Sequence, residues 1–271
     1  MKHLIGVAAS ALLLAIAGCG KSSNEAANTT PPPAPAASEP AQPDPIQLAL
    51  TASDRFAGDA AEDTWRKSNE VLAFLDVKPG MHVLDYFAGG GYYTELLSRL
   101  VGPEGRVYAY NNAEYAKYAG DKPTQRYANG RLANVVEVGG PPEQLTIEPQ
   151  SLDAALFVQS FHDLHWRSKK GDWPKTDPAQ SLTQLVKALK PGAVVVVIDH
   201  VAAAGSNPDD SVDALHRIDP EVVKREFTAA GLVFDSESKI LANAADDHTK
   251  VVFDPAVSHK TDQFVFKFRK P

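Results

Sequence analysis

Residues 81–94, MHVLDYFAGGGYYT, decide how the chain is read. An apolar run ends at Asp85, three glycines follow at Gly89, Gly90 and Gly91, and a helix-like segment over residues 92–100 opens at once with Tyr92. Glycines carry no β-carbon, so such a turn can be tight and a bulky ligand can lie against backbone N–H groups at the helix start. The spacing is not G-x-G-x-x-G, and the acid precedes the glycines, so a dinucleotide site is a poor match. A glycine-rich strand-to-helix turn can also be no more than a turn.

Working outward, strand-like runs recur. Residues 106–110 follow the turn Gly102-Pro103-Glu104-Gly105 and end at Asn111 and Asn112; further runs cover residues 134–138, 152–158 and 194–198. They alternate with helical segments from about residue 50 to the end, which predicts a parallel sheet covered by helices, and unbroken apolar runs suit strands buried on both faces. Asp219-Pro220 caps and opens a helix expected to reach Ala230 and stop at Gly231. Residues 55–75 read as one amphipathic helix that turns Val71, Leu72, Phe74 and Leu75 to the sheet; packing is preferred for Trp65 and Arg66, with part of a lid as the alternative.

The run Asp85-Tyr86-Phe87-Ala88-Gly89-Gly90-Gly91 resembles the first motif of class I S-adenosylmethionine (SAM) methyltransferases, an acid followed by G-x-G-x-G, with Phe87 where that family has its first glycine. Leu189-Lys190-Pro191-Gly192-Ala193 is similar to the family's L-K-P-G-G turn. With residues 160–165 and 261–271, these segments resemble a group of predicted bacterial methyltransferases that often carry export signals. The resemblance implies an α/β fold: a Rossmann-like, doubly wound, mostly parallel seven-stranded sheet closed by a terminal antiparallel hairpin from residues 232–240 and 263–269. It implies SAM as cofactor, held by Asp85, Phe87, Ala88, Gly89, Gly90, Gly91 and Tyr92, with Ser160 and Phe161 near the adenine or sulfonium. Asn111 and Asn112 stand where the family carries an acid for the ribose hydroxyls. An amide still bonds a diol, but more weakly than a carboxylate, so Asn111→Asp is expected to strengthen binding.

Candidate chemistry follows the fourth strand, in Gln159-Ser160-Phe161-His162-Asp163-Leu164-His165-Trp166, and the fifth, at His200. Methyl transfer is an in-line displacement that needs positioning and, where the acceptor loses a proton, a base; imidazole is the natural one near neutral pH. His162, Asp163 and His200 are the catalytic candidates. His165, Trp166, His216 and Arg217 are candidates for holding the acceptor, although each His can be a satisfied imidazole, Trp166 packing, and Arg217 the partner of a nearby acid. A metal set drawn from His162, Asp163, His165, His200 and His216 is not favoured, since H-x-x-H is not a specific zinc spacing and nothing matches H-E-x-x-H, so no metal is expected. Asp246-Asp247-His248 reads as a solvated loop.

The amino terminus speaks of address. Met1-Lys2-His3 is basic, residues 4–17 are apolar but too short to span a bilayer comfortably, and Ile16-Ala17-Gly18-Cys19 has the character of a cleavage site. It resembles a bacterial lipoprotein signal. The expected organisation is a signal over residues 1–18, lipid-modified Cys19, a Pro/Ala-rich disordered tether over residues 19–47, and one methyltransferase-like domain over residues 48–271. Gly20 after the cysteine hints at the periplasmic face of an outer membrane. Cys19 is the only cysteine, so no disulfide forms within the chain. The net charge of -7 and the lack of a clustered basic surface argue against nucleic acid; the expected acceptor is a small molecule. SAM is a cytosolic metabolite, however, so a second reading is a non-catalytic envelope protein that binds a nucleoside-like or other small ligand on the same fold.

Overall fold

In the computed structural model, residues 43–168, 171 and 173–271 are described; Cys19, the signal segment and most of the tether lie outside them. Before the sheet come the helices α1 (Pro45–Thr51), α2 (Asp63–Arg66) and α3 (Ser68–Leu75). The strands are β1 (His82–Tyr86), β2 (Arg106–Tyr110), β3 (Val135–Val138), β4 (Leu152–Val158), β5 (Leu189–His200), β6 (Val233–Ser238) and β7 (Gln263–Arg269). Between them lie α4 (Tyr92–Val101), α5 (Ala113–Ala119), α6 (Lys122–Tyr127), α7 (Pro178–Ala188), α8 (Pro208–Leu215) and α9 (Pro220–Ala229).

The strands form one seven-stranded sheet in the order β3-β2-β1-β4-β5-β7-β6. The first five pair in parallel, whereas β7 is antiparallel to both β5 and β6. This is the expected Rossmann-like architecture. Successive side chains along a strand point to opposite faces, and the core divides accordingly. Leu84, Tyr86, Phe157, Val195, Val197, Phe266 and Phe268 pack with Leu182, Leu185, Val223 and Phe227 from α7 and α9. Val83, Leu156, Val196, Ile198 and Val265 pack on the other side with Leu72, Leu75, Leu96 and Leu97 from α3 and α4. Helices on both faces explain why the central strands read as unbroken apolar runs.

Among the differences from the sequence reading are two helix boundaries and one loop. The first helix begins at Pro45, ahead of residue 48, because the Asp44 carboxylate accepts the Ile46 N–H at 2.9 Å and Pro45 suits a first helical turn. Residues 55–75 are not one helix: Lys67 takes a left-handed φ of 46°, so only α3 docks on the sheet, burying Val71, Leu72 and Leu75 while Phe74 is partly exposed. The segment before it folds over the carboxyl edge of the sheet instead. Asp246 is not solvated: its buried carboxylate pairs with Arg217 at 2.8 Å.

Candidate functional site

The turn from β1 into α4 is held from both sides. Phe87, Gly89 and Gly91 all have left-handed φ values, of 56°, 55° and 83°. At the position where the resemblance calls for glycine, a bulky residue therefore keeps a glycine-like backbone, a conformation that costs a non-glycine residue about 1–2 kcal/mol. Aromatic packing offsets that cost. The Phe87 ring stacks on Tyr115 with centroids 4.3 Å apart and planes 5° apart, and on Tyr110 at 5.4 Å. Gly91 N–H closes the turn on the Ala88 carbonyl at 2.9 Å. Asn111 bonds the N–H and C=O of Gly89, at 2.9 and 3.1 Å, and the Arg126 guanidinium donates to the Gly90 carbonyl at 2.8 Å. Arg126, itself buried, is fixed by Asp59 and Glu95, each 2.6 Å away.

Beside this turn lies a cavity of about 560 Å³, within the ordinary range for small-molecule sites. Phe87, Ala88, Gly89, Gly90, Tyr92 and Asp85 line one wall; Gln159, His162, Asp163, Trp166, His200 and His216 line another. The segment with Phe56, Asp59, Glu62 and Arg66 covers it, so Arg66 belongs to the cavity and not to packing alone. Asp85 is buried and accepts the Thr94 hydroxyl at 2.6 Å; burial pushes its carboxyl up to about 6, against the pull of that hydrogen bond.

The cluster opposite is built where β4 and β5 end. Gln159 turns the chain with a φ of 54°, and a single 3-10 turn, His162–Leu164, points its side chains to different sides. The His162 backbone N–H and ring Nδ1 both meet the Asp199 carboxylate, at 2.9 and 2.7 Å, and its Nε2 lies 3.4 Å from Asp163. Burial disfavours the imidazolium, but the charges of Asp163 and Asp199 outweigh it and raise His162 to about 9. A cation held between two acids is not a free base. Burial lowers His200 to about 3 and His216 to about 4, so both are neutral near pH 7. Burial also raises Asp163, whose second oxygen accepts the Tyr115 hydroxyl at 2.5 Å.

The structure brings together the cavity-wall candidates Asp85, Phe87, Ala88, Gly89, Gly90, Tyr92, His162, Asp163, Trp166, His200 and His216, and it turns others elsewhere. The Asn111 amide is engaged by Gly89, and the Asn112 side chain caps α5 through the Tyr115 N–H at 2.8 Å. Gly91 faces Arg126 and Tyr127, where a β-carbon would come within 3.0 and 2.7 Å. Ser160 is buried and donates to the Tyr86 carbonyl, and Phe161 packs on Phe227 with centroids 4.9 Å apart. His165 bonds Glu226 at 2.9 Å, and Arg217 is wholly buried on Asp246. Neither reaches the acceptor space, because Glu226 of α9 draws His165 inward and Asp246 holds Arg217. Asp199, Tyr115, Arg126 and Phe253 were missed; of these only Asp199, an acid at the carboxyl end of an apolar strand, carries a local signal.

Residues 66–136 match the family model of protein-L-isoaspartate(D-aspartate) O-methyltransferase. Over 50 residues, 18% of this chain and 19% of the relative, the chain is 52% identical to the protein-L-isoaspartate O-methyltransferase of Aeropyrum pernix. Over 135 residues, half of each chain, it is 25% identical to the demethylmenaquinone methyltransferase of Bacillus mycoides. The chain thus spans half or less of the length of these curated relatives. Among solved structures it is similar to a SAM dependent methyltransferase from Aquifex aeolicus, with a TM-score of 0.53 and 20% identity over 84% of this chain and 94% of that one. It is also similar to the [4+2]-cyclase SpnF, with a TM-score of 0.56 and 14% identity over 84% and 92% of the two chains. The fold is that of the class I SAM-dependent methyltransferases. The matched stretch 66–136 contains the glycine turn, and the cofactor it implies is SAM.

One local feature suits such a cofactor. A β-carbon on Gly89 would meet nothing within 4 Å, so a ligand can lie against that backbone.

Proposed function

We propose that this protein is a SAM-dependent methyltransferase acting on a small-molecule acceptor in the cell envelope, where a lipid on Cys19 tethers it. The observation that carries the reading is that the glycine turn with Asp85 and the cluster of His162, Asp163 and His200 face one cavity at the carboxyl edge of a parallel sheet. Asp85 and the backbone from Ala88 to Gly90 would hold the cofactor, which supplies an electrophilic methyl group on a sulfonium. Trp166, Trp173, Tyr115 and Phe253 give the acceptor side an aromatic wall, suited to a flat or apolar molecule. His162, charged and clamped by Asp199, orients Asp163 and does not itself take up a proton. Asp163 and His200 are left to receive one, and Asp163 is the better acceptor because burial makes His200 so weakly basic.

The support for address is the leader over residues 1–18 and its terminal Cys19. A second reading, ligand capture without turnover, is favoured by one observation: Asn111, in the place of the ribose-binding acid, is committed to Gly89. Titration calorimetry of the full-length chain with SAM and S-adenosylhomocysteine, followed by incubation with labelled SAM and envelope extract, separates the two. Binding with transferred label supports the enzyme. Binding with no label above a Gly89→Val control supports capture, and no binding of either nucleoside removes the enzyme reading and restricts capture to some other small ligand.

A further inference from the structure

We propose that His162, Asp163 and His216 bind a divalent transition-metal ion whose remaining coordination positions open into the cavity. One ligand atom from each of the three lies within 4.8 Å of the others. Asp163 Oδ1 stands 3.4 Å from His162 Nε2 and 3.9 Å from His216 Nδ1. Ligands of a tetrahedral ion at about 2.0–2.1 Å lie roughly 3.3 Å apart, so small side-chain rotations close the set.

The surroundings of the three fit that role. Asp199 accepts from His162 Nδ1 at 2.7 Å, and its carboxylate is also bonded by the backbone N–H groups of His162 and His200, at 2.9 and 2.8 Å. A carboxylate on one ring nitrogen fixes the tautomer and turns the lone pair of the other outward, the usual outer support of a metal-bound histidine. With an ion bound, His162 keeps a single proton, on Nδ1, and Asp163 serves as a ligand in place of its role as proton acceptor. The Tyr115 hydroxyl holds Asp163 Oδ2 at 2.5 Å, which leaves Oδ1 for the ion. His216 ends α8 in a left-handed conformation, φ 52°, and its ring is wedged between Trp166 and Phe253, with centroids 4.7 and 5.0 Å away. His200 and His165 are not part of the set, since Thr261 and Glu226 hold them at 2.7 and 2.9 Å. Two imidazoles and one carboxylate with open positions suit zinc or ferrous iron rather than magnesium or calcium. Such an ion in the cavity would polarise a bound oxygen or sulfur group and lower its pKa.

The site stands whether or not SAM binds. The full-length chain, stripped with chelator, would be titrated with Zn²⁺ and, separately, with Co²⁺, whose visible spectrum reports its ligands. One equivalent should bind. Asp163→Asn and His216→Ala should each weaken it at least 10-fold, Asp199→Asn should weaken it about 10- to 100-fold with unchanged stoichiometry, and His82→Gln should leave it as it was. X-ray absorption of the unaltered zinc-loaded chain should show two imidazole scatterers, a measurement that does not depend on any variant folding. Absence of binding, a spectrum of thiolate or all-oxygen ligation, or affinity unchanged in folded His216→Ala would overturn the proposal.

Discussion

Asn111 closes a two-point clasp on Gly89, its Oδ1 taking the glycine N–H at 2.9 Å and its Nδ2 donating to the glycine carbonyl at 3.1 Å. The clasp reverses the expectation drawn from the resemblance. An aspartate at this position loses the donor and sets a carboxylate against a carbonyl oxygen, so Asn111→Asp should weaken SAM binding and cost about 1–3 kcal/mol of stability. Calorimetry and denaturant unfolding of the same variant check both; a gain in affinity would show that the side chain swings to the ligand.

Gly89 and Gly91 should separate ligand contact from turn geometry. Both have positive φ, but only Gly89 opens on empty space. Gly89→Ala should cost about 1–2 kcal/mol of backbone strain and lower SAM affinity. Gly91→Ala should cost more, because its β-carbon meets Tyr127 and Arg126. Equal unfolding midpoints for the two would contradict this.

Asp85 should make cofactor binding depend on pH. Its carboxyl is raised from 3.8 to about 6 in the folded chain, so the native state holds the proton more tightly than the unfolded one. The stability this gives is fully present below pH 3.8 and is lost as the pH rises through about 6. Asp85→Asn should therefore be more stable than the native chain at pH 8, by up to about 3 kcal/mol, while binding SAM more weakly. The native advantage in affinity should fade below pH 6 as the acid protonates, which titrations at a series of pH values would reveal.

Arg217 should behave as a structural residue. Its guanidinium and the Asp246 carboxylate are wholly buried together, and it also donates to the Lys250 and Val201 carbonyls. Arg217→Ala strands a buried acid and should cost about 3–5 kcal/mol. A variant of native stability with a raised KM for the acceptor would instead restore Arg217 to the acceptor site.

The proposed address turns on Cys19. Mass spectrometry of the mature protein should find an acylated amino terminus at that residue, and Cys19→Ser should lose membrane attachment or stall as precursor. Attachment unchanged in that variant would sink the lipoprotein proposal.

The sheet was legible because its central strands must be apolar on both faces, and the glycine turn because few residues tolerate left-handed backbone. The early helices were less so. Pro45 lies in a proline-rich composition that hides a helix start, although Asp44 before it was a visible cap. The break at Lys67 leaves no mark in an apolar pattern that runs through it. In the candidate site, the loop after β4 was found but its sides were not: the 3-10 turn sends His162, Asp163 and Trp166 to the cavity while Phe161 and His165 face inward. The clamp on His162 comes from Asp199, 37 residues away, and the burial of Arg217 from Asp246, 29 away. Such pairings are settled by topology rather than spacing.

Phe87, Gln159 and His216 all line the cavity, and all three hold a left-handed backbone with φ between 52° and 56°. At about 1–2 kcal/mol each, their combined strain is a sizeable fraction of the roughly 5–15 kcal/mol by which a domain usually stays folded. Glycine or asparagine would relieve the strain at each, but at Phe87 and His216 it would also forfeit the aromatic packing that offsets it. A laboratory selection for heat tolerance alone would therefore be drawn to Gln159, which is only partly buried and has no ring to lose, and the sturdier descendants of this protein would carry an altered cavity wall.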